Sequence, residues 1–319
     1  MRICVTGGTG FIGHALVRRL LAKGMVVRVL ARPSPRADEL EAQGAEVIRG
    51  DVRNRDAVRS AVEGAQVVYH AAAKVRGSAR RKEFIETNVA GTQNVFEACL
   101  EKGVLHVVYL SSIAVYGLVQ AGTVITEATE SDPRSSERNP YAQSKIEADQ
   151  YVLGIGRETK LMVTILRPGI VFGPGEPLPS ALLGFRIGNL HIAFGSREQY
   201  FPLTYIENLV DAIELVGLRT GGGVQSYIVL DDDDLTLGTY HQVLTEVAKT
   251  RTLFLPGWPV LLAAQGAGVF SSRGRRWGRE VRRALQNRHY DSRQIRKETG
   301  WGPKVDLPAA IAKTLKDSR

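Results

Sequence analysis

The chain predicts an α/β fold: a doubly wound parallel sheet with a smaller carboxyl-terminal substrate-binding part. Three observations carry this. Short β-branched runs alternate with amphipathic stretches of helical period as far as Pro174, joined by short connections. The first run stops abruptly at three glycines, each separated from the next by two residues. Beyond Pro174 the alternation loosens into Pro- and Gly-rich segments between short apolar runs.

Arg2 to Thr6 is the first strand, closed by Gly7-Gly8-Thr9-Gly10-Phe11-Ile12-Gly13, and the stretch His14 to Lys23 is a helix stopped by Gly24. Strand, glycine turn and helix in that order form a dinucleotide-binding (Rossmann-type) fingerprint. Gly7 permits the tight turn, Gly10 lets backbone approach a pyrophosphate, and Gly13 lets helix and strand pack closely. Phe11 and Ile12 complete the loop, and the helix N-terminus offers free N–H groups to phosphates. The second strand, Met25 to Leu30, ends at Ala31-Arg32-Pro33. An NAD site usually has a carboxylate here for the ribose 2′-hydroxyl; a guanidinium pairs with a 2′-phosphate instead, so Arg32 favours NADP over NAD.

The third strand, Glu46 to Arg49, precedes Asp51-Val52. Asp51 suits either an adenine amino group or the cap of a helix beginning near Asp56. The fourth strand, Gln66 to Tyr69, runs into His70-Ala71-Ala72-Ala73, whose small side chains leave room for a ligand. A helix is expected from Phe84 to Lys102, where Asn88 and Gly91 are poor helix formers and should serve contacts. His106 to Leu110 is the fifth strand. It closes on Ser111-Ser112, where a hydroxyl can donate to a substrate carbonyl or the alkoxide formed from it. Residues 118 to 139 are polar and suit a loop over the site. In Asn139-Pro-Tyr-Ala-Gln-Ser-Lys145, Pro140 fits a first helical turn, and Tyr141 and Lys145 share a helix face. A nearby ammonium favours the phenolate and makes a tyrosine usable as a general acid or base. The sixth strand, Leu161 to Leu166, ends in Arg167-Pro168-Gly169-Ile170-Val171.

Later segments are sparser in signal. Residues 204 to 219 form an amphipathic helix, Ser226 to Leu230 a strand returning to the sheet, and Asp231 to Asp234 a turn. Leu253 to Phe270 is apolar but broken by Pro and Gly, as in a flap or an interfacial patch, and Leu307 to Leu315 is amphipathic. Of the 319 residues, 44% are hydrophobic and 24% charged, in the range of ordinary globular proteins. No apolar run reaches the eighteen residues that would suggest a membrane span, and the opening residues lack a signal-peptide layout. Cys4 and Cys99 read as buried thiols of a reducing compartment, so a cytoplasmic location is expected. The six histidines are scattered, and no metal site is expected. Much of the +9 net charge lies between Arg273 and Lys297. Such a segment allows a nucleic-acid or anionic-membrane contact, but with no nucleic-acid-binding motif beside it a solvated face or a clamp for an acidic substrate is favoured, and no nucleic-acid partner is expected.

Taken together, Thr6 to Gly13, Gly50-Asp51-Val52, Asn88-Val-Ala-Gly-Thr92, Ser111 to Gly117, Asn139 to Lys145 and Leu166 to Pro174 resemble the extended short-chain dehydrogenase/reductases, the NAD-dependent epimerase/dehydratase family. Tyr205 to Asp211 and Thr299 to Pro303 resemble that family's carboxyl-terminal marks. The resemblance implies that Tyr141 exchanges a proton with the reacting oxygen. Lys145 would lower the Tyr141 pKa and hold the nicotinamide ribose, and Ser112 would hydrogen-bond the same oxygen. It places Asp51 and Val52 at the adenine, Ala71, Ala72 and Ala73 at the central phosphate and ribose, and Pro168 and Val171 at the nicotinamide. It also makes a homodimer plausible, through the helices containing residues 84–102 and 141–159.

Departures from the pattern concern the substrate. Nucleotide-sugar members tend to carry an asparagine where Gly169 and Ile170 stand, and an arginine where Phe201 stands, with Arg197 or Arg186 as substitutes. The nearest branch is that of 3β-hydroxysteroid dehydrogenases and dihydroflavonol reductases. The leading expectation is an NADP(H)-dependent oxidoreductase acting on a ketone or secondary alcohol of an apolar or carboxylated small molecule. The alternatives are a nucleotide-sugar epimerase or dehydratase with retained NAD, and a non-catalytic dinucleotide sensor. Residues 1–172 form the expected dinucleotide-binding domain and 173–319 the substrate-binding part, of which about 204–232 packs back onto the first.

Overall fold

Seven parallel strands form the central sheet of the computed structural model, which describes residues 1–75, 81–120, 122–179 and 183–317. They are β1 (Arg2–Thr6), β2 (Val26–Ala31), β3 (Glu46–Arg49), β4 (Val67–His70), β5 (His106–Leu110), β6 (Met162–Pro168) and β7 (Val224–Val229). Their order is β3-β2-β1-β4-β5-β6-β7, with every neighbouring pair parallel. The order reverses between β1 and β4, which opens a crevice at the strands' carboxyl ends.

The inner strands are apolar on both faces because helices cover both. Ile3 and Val5 of β1 face Leu16 and Leu20 of α1 (Phe11–Ala22) and Leu209 of the helix Ile206–Gly217. Cys4 points the other way, into a layer that holds Val58 of the helix Arg55–Val62, Phe96 and Val152. Both cysteines are free and buried, and burial pushes the Cys4 thiol up to about 12. Ion pairs Arg19–Asp211 and Lys23–Glu214 join α1 to the helix Ile206–Gly217.

Three segments differ from the sequence-based expectation. The long helix expected from Phe84 to Lys102 is α-helical over Arg81–Phe84 and Gly91–Glu101, with a π-helical stretch, Ile85–Ala90, between them. The wider turn carries Asn88, whose side chain exchanges two hydrogen bonds with the Lys74 backbone and donates to Ser144 Oγ at 2.8 Å. A helix over Pro35–Ala42, for which no expectation was drawn, is started by Ser34, whose Oγ accepts from the Ala37 N–H. The segment expected to be broken parts at Pro256-Gly257 but is regular on either side, as a strand, Arg251–Leu255, and a helix, Trp258–Phe270, whose first turn accommodates Pro259. That strand and Gly184–Ile187 flank Leu190–Phe194 in a separate three-stranded sheet.

The second site-bearing helix, α2 (Pro140–Glu158), is capped by Asn139, whose Oδ1 accepts from the Ala142 N–H at 2.9 Å. Its buried Asp149 accepts from Ser111 Oγ at 2.5 Å and pairs with Arg167 of β6 at 2.7 Å. Arg167 also donates to the Tyr116 hydroxyl at 2.9 Å. Removing one partner of such a pair leaves a buried charge uncompensated. Asp149→Ala should therefore lower the unfolding free energy by about 3–5 kcal/mol, read from the urea midpoint at constant slope.

Candidate active site

The glycine turn is built to admit a ligand against backbone. Gly7 has φ +75°, and a Cβ there would lie 2.6 Å from Ala72 Cα. A Cβ on Gly13 would lie 2.2 Å from the Gly7 carbonyl oxygen, so α1 packs directly on the turn. Gly10 precedes the first turn of α1, where it donates to the Gly7 carbonyl at 2.9 Å.

A cavity of about 380 Å³ opens over this turn. Gly7, Gly10 and Arg32 line it from one side, and Ala71, Ala72 and Ala73 from the other. Asp51 and Val52 form its end. Asp51 does not cap the following helix; Asn54 does, accepting from Asp56 and Ala57. The Asp51 carboxylate instead pairs with Arg53 at 2.9 and 3.0 Å, which holds it below the usual carboxylate range. Arg32 is exposed and has no hydrogen-bond or ion-pair partner among the described residues. Thr9, Arg53, Lys74 and Thr87 also line the cavity, although the sequence reading singled out none of them. Phe11, Ile12, Gly13, Pro168 and Val171 stand outside its walls. Phe11 borders a neighbouring recess with Pro174 and Ile206, Ile12 packs on the core, and Pro168 ends β6. Val171 pairs with Thr204 across a short two-stranded ladder.

The glycine cradle, the helix N-terminus and the lone guanidinium fit a dinucleotide, since each meets a pyrophosphate or ribose with open N–H groups or positive charge.

Ser112, Tyr141 and Lys145 come together beyond the carboxyl end of β5. Ser112 is extended, and its Oγ accepts from the Ala114 N–H at 3.1 Å. Burial pushes the Tyr141 phenol pKa up, and the nearby Ser112 hydroxyl draws it back. Lys145 is buried, donates to the Leu110 carbonyl at 2.7 Å and lies 4.9 Å from the Tyr109 ring centre. Burial pulls its pKa down to about 8, against the Asp149 charge, which raises it. The expected depression of the Tyr141 pKa by Lys145 is thus not the arrangement seen. The ammonium is engaged by a backbone oxygen, and Ser112 provides the lowering contact.

The loop between Ser112 and Tyr141 is clamped by Arg138, which donates to the Tyr116 and Ala114 carbonyls and pairs with buried Asp132 at 2.9 Å. Beneath the cavity, Thr92 Oγ1 donates to the Asn88 carbonyl at 2.6 Å and so must accept from His70 Nε2. His70 Nδ1 then accepts from Thr6 Oγ1 at 2.6 Å. Burial, helped by the Lys145 charge, holds this imidazole neutral with a pKa near 3. Among the described residues, no group of three or more His, Cys, Asp or Glu side chains is placed to hold a metal.

These features define a dinucleotide-binding α/β enzyme. A model of the NAD dependent epimerase/dehydratase family matches residues 3–228, and the chain belongs to that family. It is 34% identical to a 2-alkyl-3-oxoalkanoate reductase of Stenotrophomonas maltophilia over 79% of this chain and 77% of the relative. It is 27% identical to 3beta-hydroxysteroid-dehydrogenase/decarboxylase isoform 1 of Arabidopsis thaliana over 98% of this chain and 78% of the relative. Among solved structures, that of gox2253 superposes with TM-score 0.82 at 26% identity, covering 99% of this chain and 97% of the other. The protein is thus an NAD(P)-dependent enzyme with the short-chain dehydrogenase/reductase fold.

His70 yields a pH prediction. Its folded pKa lies below its ordinary 6.5, so the unfolded chain binds the extra proton between about pH 6.5 and 3. Its contribution is present above pH 6.5 and is lost as pH falls towards 3. Thermal or urea unfolding across this window should show a shallower acid slope for His70→Asn than for the parent, by up to about 1.4 kcal/mol per pH unit.

Proposed function

We propose that the enzyme is an NADP(H)-dependent oxidoreductase that interconverts a ketone and a secondary alcohol on an apolar or carboxylated small molecule. The observation that carries this is the closeness of the Ser112 hydroxyl to the Tyr141 phenol, with Lys145 buried one helical turn further along the same helix. When bound, the nicotinamide gives or takes the hydride at the substrate carbon. Tyr141 donates its proton to the oxygen as it becomes an alkoxide in reduction, and recovers one in oxidation. Ser112 hydrogen-bonds the same oxygen and places it against the phenol. Lys145 is assigned to hold the nicotinamide ribose hydroxyls in place of the Leu110 carbonyl.

Gly7, Gly10, Asp51, Val52 and the alanines 71–73 would hold the dinucleotide. The unspent charge of Arg32 supports a 2′-phosphate there, whereas Arg53 is engaged by Asp51. Residues 173–319 are assigned to the substrate, with 204–232 returning to the sheet. A nucleotide-sugar diphosphate is less well served. Phe201 is buried against Tyr240, Arg197 lies over Phe254, and Arg186 donates to Gly188. The named activities of the reductase and dehydrogenase relatives support a net redox reaction on an apolar substrate. A homodimer through the helices Gly91–Glu101 and Pro140–Glu158, in the cytoplasm, completes the proposal.

Tyr141→Phe should reduce kcat roughly 10²–10⁴-fold while leaving dinucleotide affinity within a few-fold, by calorimetry. Normal turnover by that variant would sink the acid–base assignment. Arg32→Ala should weaken NADPH binding roughly tenfold to a hundredfold and leave NADH unchanged. Tightly held NAD released stoichiometrically on denaturation would instead point to a recycled cofactor and an epimerase or dehydratase.

A further inference from the structure

Large apolar side chains gather on the surface of the carboxyl-terminal part. The helix Trp258–Phe270 has a single polar side chain, Gln265, so it is apolar on every side. Such a helix belongs inside a protein or in lipid. Among its residues whose burial is described, Ala264 alone is fully buried, while Trp258, Leu262 and Val269 are 63%, 57% and 77% exposed. The preceding strand, Arg251–Leu255, continues this surface through Pro256-Gly257. Leu253, Ile192 and Phe185 lie in register across the three strands of the small sheet, and Phe185, Ile187 and Leu253 are all exposed. Soluble monomers rarely leave an apolar area of this kind uncovered.

The next helix, Ser272–Leu285, supplies the charge. It carries Arg275, Arg276, Arg279, Arg282 and Arg283 against one acid, Glu280. Two of these arginines turn inward: Arg279 donates to the Glu137 carbonyl, and Arg283 lies 3.8 Å from Asp132. Arg276 and Arg282 are exposed, without a carboxylate partner among the described residues, and Trp277 between them is 45% exposed.

We propose that this helical hairpin, with the outward face of the small sheet, docks on the surface of an anionic lipid bilayer. The apolar helix lies in the interface, Trp258 and Trp277 sit at headgroup depth, and Arg276 and Arg282 meet lipid phosphates. At thirteen residues the helix is about 20 Å long, too short to cross the hydrocarbon, and no helix among the described residues is long and apolar enough to do so. A second copy of the chain fits this surface less well. A twofold contact would set two arginine-rich helices against each other, while an anionic bilayer complements both the charge and the apolar area.

The test is co-sedimentation of the full chain with vesicles of phosphatidylcholine alone, or of phosphatidylcholine mixed with phosphatidylglycerol. Binding should be strong only with the mixed vesicles and should weaken as salt rises. Arg276→Gln should weaken it about fivefold, and Trp258→Ser with Leu262→Ser at least about tenfold. Dinucleotide affinity, measured in parallel, reports that each variant is folded. The proposal is overturned if the folded protein ignores the mixed vesicles, binds both kinds alike, or binds them undiminished in the variants. It is equally overturned if the free protein is a dimer that Trp258→Ser with Leu262→Ser converts to monomers, because a second copy then covers the face.

Discussion

The geometry of the candidate active site depends on one buried ion pair, Asp149–Arg167. A helix lying against a sheet can slide or roll by small amounts at little cost in apolar contact, because such contact has no direction. The pair removes that freedom. It ties the middle of the tyrosine-bearing helix to β6, while Ser111 on the same carboxylate ties it to β5 and Tyr116 extends the network into the following loop. Every group involved is satisfied by hydrogen bonds, the condition under which buried charge is tolerable. Tyr141 and Lys145 therefore inherit their placement from residues outside the proposed reacting cluster.

The same interior sets the charge states. The Lys145 ammonium lies over the Tyr109 ring and acts on His70, and burial taxes its charge as well as theirs. Holding the ammonium on the Leu110 carbonyl satisfies one donor and keeps the imidazole below it neutral. Hydrogen-bond directions agree: Thr6, His70, Thr92 and Asn88 form a chain in which each proton has a single place. The floor of the crevice is thus fixed in both shape and protonation.

Local features were legible in the sequence. Gly7, Gly10 and Gly13 announce a backbone that must turn and approach closely, and the four-residue spacing of Tyr141 and Lys145 announces a shared helix face. Asn88 was legible as an anomaly, but not as a π-turn reaching Lys74 and Ser144, since those partners come from distant segments. The Arg138–Asp132 clamp and Arg283 beside it were hidden for the same reason: an ion pair across folded chain leaves no periodic trace. Arg53 sat two positions from a noted aspartate, and its pairing changes what Asp51 can do. In Leu253 to Phe270, proline and glycine argued for a break. The break falls at Pro256-Gly257, while Pro259 sits in the first helical turn, where it costs little, so the regular helix beyond the break was not legible from composition.

The place of β7 at the sheet's edge has a further consequence, for how the chain is made. β6 hydrogen-bonds β5 on one side as soon as both exist, but its other side waits for a strand that lies beyond the small sheet's first two strands and the helix Ile206–Gly217. During synthesis, the amino-terminal portion therefore emerges with an apolar strand edge open to any passing partner. Completion of the parallel sheet is thus deferred to the later part of the chain.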